Sequence, residues 1–397
     1  MAHSGHAAAS RLGYRPELDG LRGIAIILVL LIHVLGSPKG GLLGVDIFFT
    51  LSGFLITTLL LEEWRVQTSI SLRHFYLRRS FRLFPALAVF IVSYVLFVLA
   101  FGNGNDGMRL QGAGFAITYS ANWVMAFNRP FPEWEIGHLW SLAVEEQFYL
   151  LWPAFLLLLL KSGLGLRGLK WTVLGMILAV VAWRTFLDLH GVDDSRLYFA
   201  TDTRFDQLLV GCLASILFVS RGKGQAGSRA LMFGGLVGAL FLVWRIFEAN
   251  FRSAWSFKIG LTLFATATAL TIYACVTESF PLLKRALSAK WLVFVGIISY
   301  SLYLWHVASS LLLERLTHLN GWRSAVAEVA FAFIAACASY YLVELPFLRR
   351  RKAHERLGST KVDLESGLTP ARLLRKLSMG SPSGPRQGSR APAEPSS

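Results

Sequence analysis

The stretch FPALAVFIVSYVLFVLAF, residues 84–101, decides the fold. It contains no charged residue, and as a helix it is long enough to cross the roughly 30 Å of hydrocarbon in a bilayer. Similar runs recur up to residue 345, and 54% of the 397 residues are hydrophobic whereas only 16% are charged. This composition predicts an all-α polytopic membrane protein. We predict ten spans, at residues 22–36, 42–62, 84–101, 138–160, 171–187, 204–220, 230–247, 257–276, 291–313 and 323–345.

The cations of the chain lie mainly in the joints between these spans. A formal net charge of +15 is compatible with a nucleic-acid partner, but basic residues placed between spans are typical of cytoplasmic loops. The clusters at residues 65–82, 161–170, 221–229, 284–290 and 349–352 fall on one side when the spans are threaded in alternation. We therefore expect a multi-pass protein of the inner (plasma) membrane, with both termini cytoplasmic, surrounded by the lipid bilayer and without a nucleic-acid partner.

Three segments are expected along the chain. Residues 1–13 form a cytoplasmic N-terminal segment, residues 14–350 a transmembrane domain, and residues 351–397 a disordered basic tail rich in Ser, Pro and Gly. A short amphipathic helix at residues 369–379 is the alternative for part of that tail. The first span also resembles a signal peptide, but we expect it to be retained because it carries polar side chains that fit a functional site.

Ionisable side chains inside the spans are the informative positions, because a charge in mid-bilayer must be paired, hydrated or functional. Arg22 and His33 in the first span are eleven residues apart, which at about 100° per residue places them within about 20° of one helix face. We expect both to face one polar cavity, roughly 16 Å apart along the helix. The alternative for His33 is a structural histidine that is satisfied locally.

Two further pairs are expected to face the same cavity. Arg79 and Arg82 are three residues apart just before the third span, and guanidinium groups suit the phosphates of a nucleotide-containing donor. Contact with lipid headgroups is the alternative for this pair. Ser141 and Glu145 are four residues apart at the start of the fourth span and therefore share a helix face.

Other polar residues of the spans are candidates for binding the substrate. They are Asp46, Ser52, Trp140, Arg204, Asp206, Tyr303 and His306. For Asp46 the alternative is a helix cap or a partner for an arginine, and for Arg204 and Asp206 it is a salt bridge with each other. The chain contains neither an HxxxH nor a CxxC pattern, so we expect no metal site.

Six motifs, taken together, resemble those of a known family of membrane enzymes. They are RPELDGLRGIAIILVLLIHV, GVDIFFTLSGFLI, RRSFRLFP, HLWSLAVEEQFYLLWP, RFDQLLVG and SYSLYLWH, and they occur in this order. From about residue 14 to residue 350 the chain is similar to the membrane acyltransferase-3 family. The resemblance implies about ten helices around a central polar cavity. It also implies transfer of an acyl group, commonly acetyl, from cytoplasmic acyl-coenzyme A (acyl-CoA) to a hydroxyl of an extracytoplasmic or membrane-proximal acceptor.

The resemblance also implies roles for individual residues. The catalytic residues are expected to be Arg22, His33, Ser141 and Glu145, and the residues that bind the donor, acetyl-CoA, are expected to be Arg79 and Arg82. We predict that His33 removes the proton of the acceptor hydroxyl and that Glu145 orients the other ring nitrogen, although a covalent acyl-histidine is the alternative. Many family members carry an additional extracytoplasmic hydrolase-like domain. We expect this chain to complete the transfer in its membrane domain or to pass the acyl group to a separate partner.

The acceptor and the length of the acyl chain do not follow from these residues. Lipopolysaccharide or capsule sugars, peptidoglycan, an exopolysaccharide and a macrolide are all compatible acceptors. Residues 102–137 carry Trp123, Phe131 and Trp134, which are candidates for stacking on a sugar ring or for an interfacial aromatic belt. The competing function is a proton-coupled transporter or flippase of a glycan precursor, which would also need buried Arg, His and Glu residues.

Overall fold

The computed structural model of the protein describes residues 12–102, 104–221, 228–248, 256–317 and 319–350. Within these ranges the chain forms helices and no β-strand, which confirms the predicted all-α class. The expectations for the chain before residue 12 and for the tail after residue 350, including the helix at residues 369–379, lie outside the described residues.

The helices follow the apolar segments closely. α1 begins at Pro16, where a missing N–H costs nothing, and ends at Leu35, because the following Gly36 has a positive φ of 65° that closes the last turn. In chain order the helices are α1 (Pro16–Leu35), α2 (Gly44–Gln67), α3 (Leu72–Ala100), α4 (Asp106–Ile117), α5 (Ala121–Ala126), α6 (Glu133–Ile136), α7 (Leu139–Lys161), α8 (Leu166–Leu189), α9 (Asp194–Phe199), α10 (Phe205–Ser220), α11 (Arg229–Glu248), α12 (Leu261–Val276), α13 (Pro281–Leu287), α14 (Lys290–Ile297), α15 (Ser299–Leu316) and α16 (Trp322–Ser339). Short 3₁₀ segments cover Lys39–Leu43 and Thr201–Thr203, and π-helical turns cover Ser256–Gly260 and Tyr340–Glu344.

The length and composition of the helices identify a multi-pass membrane protein. Across the described ranges, eight helices are long and apolar enough to cross a bilayer. A ninth span results if α14 and α15, which meet at an angle of 72°, are counted as one broken crossing. The predicted span at residues 204–220 coincides with α10, which has only 16 residues and falls short of the usual crossing length. Ten crossings therefore stay a prediction.

Close packing of α2 against α10 forms the centre of the bundle. A Cβ atom on Gly53 would lie 1.9 Å from the Leu208 carbonyl oxygen, and one on Gly211 would lie 2.1 Å from the Thr50 carbonyl oxygen. Each helix therefore needs a glycine where the other crosses it, a common device between membrane helices. α1 packs against both α2 and α14, which brings the polar residues of the first and second spans to the same side of the centre.

The segment between the third and fourth predicted spans is structured. Residues 102–137 contain α4, which packs on α3, and α5, which packs on α7. Asn122 in α5 is fully buried and donates to Thr201 Oγ1 at 2.8 Å, while Gln147 Nε2 in α7 donates to Asn122 Oδ1 at 2.9 Å. These buried amide hydrogen bonds make the segment part of the packed core rather than a loop that merely joins two spans.

Candidate active site

A cavity with about 530 Å³ of empty space, which we call the main cavity, opens between α1, α2, α3, α7 and α15. Five of the predicted site residues line it together. Its polar lining consists of Arg22, Arg79, Ser141, Glu145, Tyr149, Ser299, Tyr300 and Tyr303. The remaining predicted residues lie elsewhere in the bundle, and their positions are described below.

The predicted pairing of Ser141 with Glu145 on one helix face agrees with the structure, since both line the main cavity from α7. Ser141 Oγ lies 2.6 Å from Tyr303 Oη in a hydrogen bond. Glu145 accepts hydrogen bonds from Ser52 Oγ at 2.8 Å and from Tyr149 Oη at 3.3 Å. Ser52, predicted to contact the substrate, thus acts in this structure as a hydrogen-bond donor to Glu145 from α2.

Three arginines converge at one end of the main cavity. Arg79 packs its guanidinium group over the Tyr149 ring, 3.9 Å from the ring centroid, and its Nε has no hydrogen-bond partner in the described part of the chain. Arg82 does not line the cavity, but it is close enough to Arg22 and Arg79 for the three positive charges to repel one another. No carboxylate oxygen of the described residues lies within 4 Å of a guanidinium nitrogen of these three arginines, and the carboxylates of Glu146 and Glu344 act on them only from a longer distance.

Glu344 is a neighbour of these arginines that the sequence analysis did not single out. It is 4% exposed and lies at the end of the π-helical turn Tyr340–Glu344. Ser301 Oγ donates to its carboxylate and lies 2.8 Å from Ser339 Oγ, whose hydroxyl is then the donor to Ser301. The charges of Arg22 and Arg82 also act on Glu344. A carboxylate near the end of the last apolar run was the signal that could have found it, because such a group needs nearby cations.

His33 has a defined hydrogen bond at the far end of α1. Its Nδ1 lies 2.7 Å from the Val29 carbonyl oxygen. A carbonyl can only accept, so Nδ1 carries the proton and Nε2 keeps a lone pair in the neutral ring. The prediction that Glu145 orients this imidazole is therefore wrong, because a backbone carbonyl holds it and the Glu145 oxygens are engaged by Ser52 and Tyr149.

His33 also belongs to a group of three imidazoles, His33, His138 and His306, which we call the imidazole cluster. The ring centroids of His33 and His306 lie 4.9 Å apart, and those of His306 and His138 lie 5.0 Å apart. His138 was not among the predicted site residues, although it opens the motif that contains Ser141. Neither of its ring nitrogens reaches hydrogen-bond geometry with a described residue, although the Leu304 carbonyl is nearby.

The expectation that Arg22 and His33 line a single cavity is wrong in part. Arg22 lines the main cavity and His33 does not, because eleven residues of helix separate them by roughly 16 Å. Tyr303 lies between the main cavity and the imidazole cluster. It lines the main cavity, donates to the His138 carbonyl at 2.5 Å, and its ring centroid lies 5.5 Å from that of His306. The main cavity and the imidazole cluster are therefore neighbours joined through Tyr303.

The alternative considered for Arg204 and Asp206, a salt bridge with each other, is also wrong. Arg204 Nη2 instead donates to Asp46 Oδ1 at 3.0 Å, which confirms an arginine partner for Asp46. Asp206 pairs with Arg184 of α8 through two hydrogen bonds, at 2.8 and 3.0 Å. Arg204 lies in the turn before α10 and Asp206 in its first turn, so their side chains leave in different directions.

These two ion pairs are separate from the main cavity. All four side chains are fully buried, and the Arg204 guanidinium stacks near Trp140, 5.3 Å from its ring centroid. Asp46, Trp140, Arg204 and Asp206 were predicted to bind substrate, yet none lines the main cavity. In this structure Asp46, Arg204 and Asp206 form, with Arg184, a buried polar layer between α2, α8 and α10, and Trp140 of α7 lies beside the Arg204 guanidinium. Within the described residues, no group of three or more His, Cys, Asp or Glu side chains, the imidazole cluster included, is arranged so that it could hold a metal ion.

The chain resembles proteins of known activity over most of its length. The model of the acyltransferase domain family matches residues 15–344. The peptidoglycan O-acetyltransferase OatA of Listeria monocytogenes is 36% identical over 352 residues, which cover 84% of this chain and 56% of the relative. The O-acetyltransferase OatA of Staphylococcus aureus is 33% identical over 353 residues, which cover 85% and 58%. A putative peptidoglycan O-acetyltransferase of Bacillus subtilis, YrhL, is 31% identical over 354 residues, which cover 84% and 55%.

The chain spans a little over half the length of these relatives. No solved structure matches it. The family match runs from the start of α1 to Glu344 and so includes every residue of the main cavity and of the imidazole cluster. This protein belongs to the acyltransferase-3 family of membrane proteins.

Proposed function

We propose that the protein is a membrane O-acyltransferase that moves an acetyl group from acetyl-CoA to a hydroxyl of a cell-envelope glycan. The observation that carries the proposal is that Arg22 and Arg79, which form no ion pair with a described residue, converge with Ser141 and Glu145 on one cavity beside three imidazoles. Membership in an acyltransferase family favours this enzyme over a transporter or flippase of glycan precursors. The proposal places the protein in the plasma membrane with both termini cytoplasmic.

The arginine end of the main cavity supports a polyanionic donor. Coenzyme A carries several phosphates, and guanidinium groups bind phosphate oxygens through two parallel hydrogen bonds. Arg22 and Arg79 line the cavity, Arg82 lies close to both, and no carboxylate of the described residues forms an ion pair with their N–H groups. An anion that enters here would relieve the repulsion among the three arginines. The apolar walls, including Phe48 and Leu83, would cover the rest of the donor.

The imidazole cluster supports the proton transfer that an alcohol acceptor needs. His33 Nε2 accepts the hydroxyl proton while the acceptor oxygen attacks the acetyl carbonyl carbon. The carbon–sulfur bond of the thioester then breaks, a carbon–oxygen ester bond forms, and the proton passes from His33 to the thiolate of coenzyme A. The Nδ1–H bond to the Val29 carbonyl holds the ring and stabilises its protonated form. The hydroxyls of Ser141 and Tyr303, which are hydrogen-bonded to each other, lie next to this route.

The choice of a glycan acceptor rests on the relatives. The Listeria monocytogenes protein is named for O-acetylation of peptidoglycan, and we propose the same class of acceptor for this chain. Among the aromatic candidates, Trp134 is 91% exposed and free to stack on a sugar ring, whereas Phe131 is buried in the core. Trp123 donates its Nε1–H to Gln147 Oε1 at 3.3 Å and is partly buried.

The direct test uses the full-length protein in lipid nanodiscs with acetyl-CoA labelled in the acetyl group and soluble peptidoglycan fragments. We expect release of one free thiol per acetylated sugar, and we expect His33→Ala to lower the rate by about 10²-fold or more, as for loss of a general base. His190→Ala is the matched control, since His190 makes the same Nδ1 contact to a carbonyl four residues earlier, at 2.8 Å, but packs on Phe186.

Two results would overturn the proposal. One is thiol release without any acetylated acceptor across the fragments of peptidoglycan, capsule and lipopolysaccharide. The other is wild-type turnover by His33→Ala protein that has retained its fold, because the catalytic assignment of the imidazole would then have no basis.

A further inference from the structure

A second cavity, with about 550 Å³ of empty space, lies between α3, α15 and α16. Its lining is almost entirely apolar and includes Phe90, Phe97, Trp305, Leu311, Leu312 and Phe331. The two hydroxyls in the lining are already engaged, since Ser93 donates to the Val89 carbonyl at 2.9 Å and Tyr94 donates to Glu135 at 2.5 Å. The cavity therefore suits a hydrocarbon chain better than a polar ligand.

Phe90 stands between this apolar cavity and the imidazole cluster. Its ring centroid lies 6.0 Å from that of His138 and 5.4 Å from that of Trp305, both in edge-to-face contacts. Trp305 lines the same cavity and directly precedes His306. Because Phe90 is only 1% exposed, its ring is firmly packed. The two aromatic rings form a wall with hydrocarbon-lined space on one side and imidazoles on the other.

Polar groups at this wall lack partners within the described ranges. The Nε1–H of Trp305 is buried without an acceptor, and both ring nitrogens of His138 are buried without a hydrogen bond of ordinary geometry. A buried donor without an acceptor is costly, and such groups are commonly satisfied by a bound molecule. A ligand with a carbonyl oxygen at one end and an uncharged hydrocarbon tail would match both the donor and the cavity behind it.

We propose that Phe90 and Trp305 limit the transferred acyl group to a short one, an inference that rests on the proposed function. When a substitution opens this wall, the apolar cavity behind it holds the tail of a longer acyl group. In the transfer, the thioester carbon–sulfur bond breaks and the ester carbon–oxygen bond forms beside His33, so the acyl carbons occupy the space adjoining the imidazole cluster. An acetyl group ends at its methyl. A longer chain meets the Phe90 ring, and displacing a packed ring is unfavourable.

The test opens the wall and measures which acyl group is transferred. Phe90→Ala protein in nanodiscs receives equal amounts of acetyl-CoA and hexanoyl-CoA with a glycan acceptor, and mass spectrometry gives the ratio of the two esters. We expect the hexanoyl-to-acetyl ratio to rise about tenfold or more over wild type, the size of effect seen when a pocket gains or loses space for methylene groups. Phe84→Ala is the matched control, because Phe84 is on the same helix but 47% exposed, and its ratio should equal that of wild type.

The outcomes separate this inference from the proposed function. If wild type transfers acetyl groups but Phe90→Ala leaves the hexanoyl-to-acetyl ratio unchanged, the inference is overturned and the proposed function is not. The same result is expected if the cavity holds only a membrane lipid. Absence of any acyl transfer by wild type overturns both.

Further variants guard against misfolding of Phe90→Ala. Phe90→Leu keeps an apolar side chain and should raise the ratio of butyryl to acetyl transfer by about threefold, a smaller gain because less space is opened. Adding Ala308→Phe to Phe90→Ala refills the cavity from α15 and should return the ratio to the wild-type value. A gain that persists in the refilled protein would show that the long chain lies elsewhere and would end the inference.

Discussion

Two groups of charged side chains inside the helix bundle differ in how they are compensated. In the polar layer between α2, α8 and α10, Arg184 and Arg204 each contact a carboxylate, at 2.8 and 3.0 Å, and all four side chains are fully buried. Around the main cavity, Arg22, Arg79 and Arg82 have no carboxylate within 4 Å among the described residues, and Glu145 accepts hydrogen bonds from hydroxyls instead. Both groups consist of arginines and carboxylates, but only the first group forms close ion pairs among the described residues.

The difference separates structural charge from charge that is available to a ligand. A buried ion pair satisfies itself, and removal of one partner leaves an isolated charge in a low-dielectric interior. Charges that surround an open space keep their hydrogen-bonding capacity, and charges in this arrangement are typical of binding sites. The first group should therefore govern folding and the second group turnover, and the following experiments test this division from the largest expected effect to the smallest.

Loss of one partner from a buried pair should destabilise the fold most. Arg184→Leu leaves Asp206 buried without its bidentate partner, and we expect the free energy of unfolding to fall by about 3–5 kcal/mol. The double variant Arg184→Leu with Asp206→Leu should recover much of that loss. Denaturant titration of the purified protein in detergent measures both. Lys284→Ala is the control, since its pair with Glu278 has a similar distance of 2.7 Å but is exposed, and it should cost less than about 1 kcal/mol.

Loss of a cavity arginine should change binding and leave stability intact. Arg79→Gln removes both the repulsion of Arg82 and the favourable contact with the Tyr149 ring, and because these two effects oppose each other we expect little change in the free energy of unfolding. Donor affinity should fall by about 10- to 100-fold, since a hydrogen bond to a charged group contributes roughly 1.5–3 kcal/mol. Equilibrium binding of coenzyme A measures this, with Arg73→Gln as the exposed control at the start of α3. An unchanged affinity of Arg79→Gln for coenzyme A would instead favour the alternative that these arginines contact lipid headgroups.

Removal of the Glu344 carboxylate near the arginines should raise the affinity for coenzyme A, the opposite of the effect of Arg79→Gln. Glu344→Gln keeps an acceptor for the Ser301 hydroxyl but deletes a negative charge that acts on Arg22 and Arg82. We expect coenzyme A to bind about threefold more tightly, consistent with the ~0.2–1 kcal/mol of a partly screened charge interaction. The gain should shrink as salt concentration rises. Weaker binding would mean that Glu344 positions the arginines, and the simple electrostatic account would be wrong.

The smallest effect is expected at the exposed aromatic candidate. Trp134→Ala should leave the free energy of unfolding within about 0.5 kcal/mol of wild type, because the side chain is 91% exposed. It should raise the KM for a glycan acceptor severalfold while leaving the KM for acetyl-CoA unchanged. Steady-state kinetics with each substrate varied in turn measures the two KM values separately. If Trp134→Ala and wild type have the same KM for the acceptor, Trp134 does not contact the acceptor.

The comparison also shows where sequence reasoning stops. The apolar segments were located because membrane helices need long uninterrupted apolar runs, and each of the ten predicted spans coincides with a helix, with α14 and α15 together covering one of them. The shared face of Ser141 and Glu145 followed from helical periodicity alone. Arg22 and His33 both lie on α1, as predicted. The side chains that fill the space between them were not predicted, because they come from other helices.

The misassigned pairs have a common cause. Arg204 and Asp206 are neighbours in sequence, yet they pair with α2 and α8, and the partner of Asp206, Arg184, had drawn no attention. His138 and Glu344 were missed for the same reason, since each acquires its role from groups on distant helices. The spacing of residues along a helix shows which of them share a face. It does not show which residues of other helices will pack against that face.

Apolar run length, charge placement and helical periodicity thus determined by themselves that this chain forms membrane helices and which side chains share a face. Only the tertiary structure decided which buried charges neutralise each other and which surround a cavity, because that depends on helix crossings such as the one at Gly53 and Gly211. The physical reason is range: a hydrogen-bonded turn extends over four residues, whereas an ion pair between helices joins residues that the chain sequence leaves far apart.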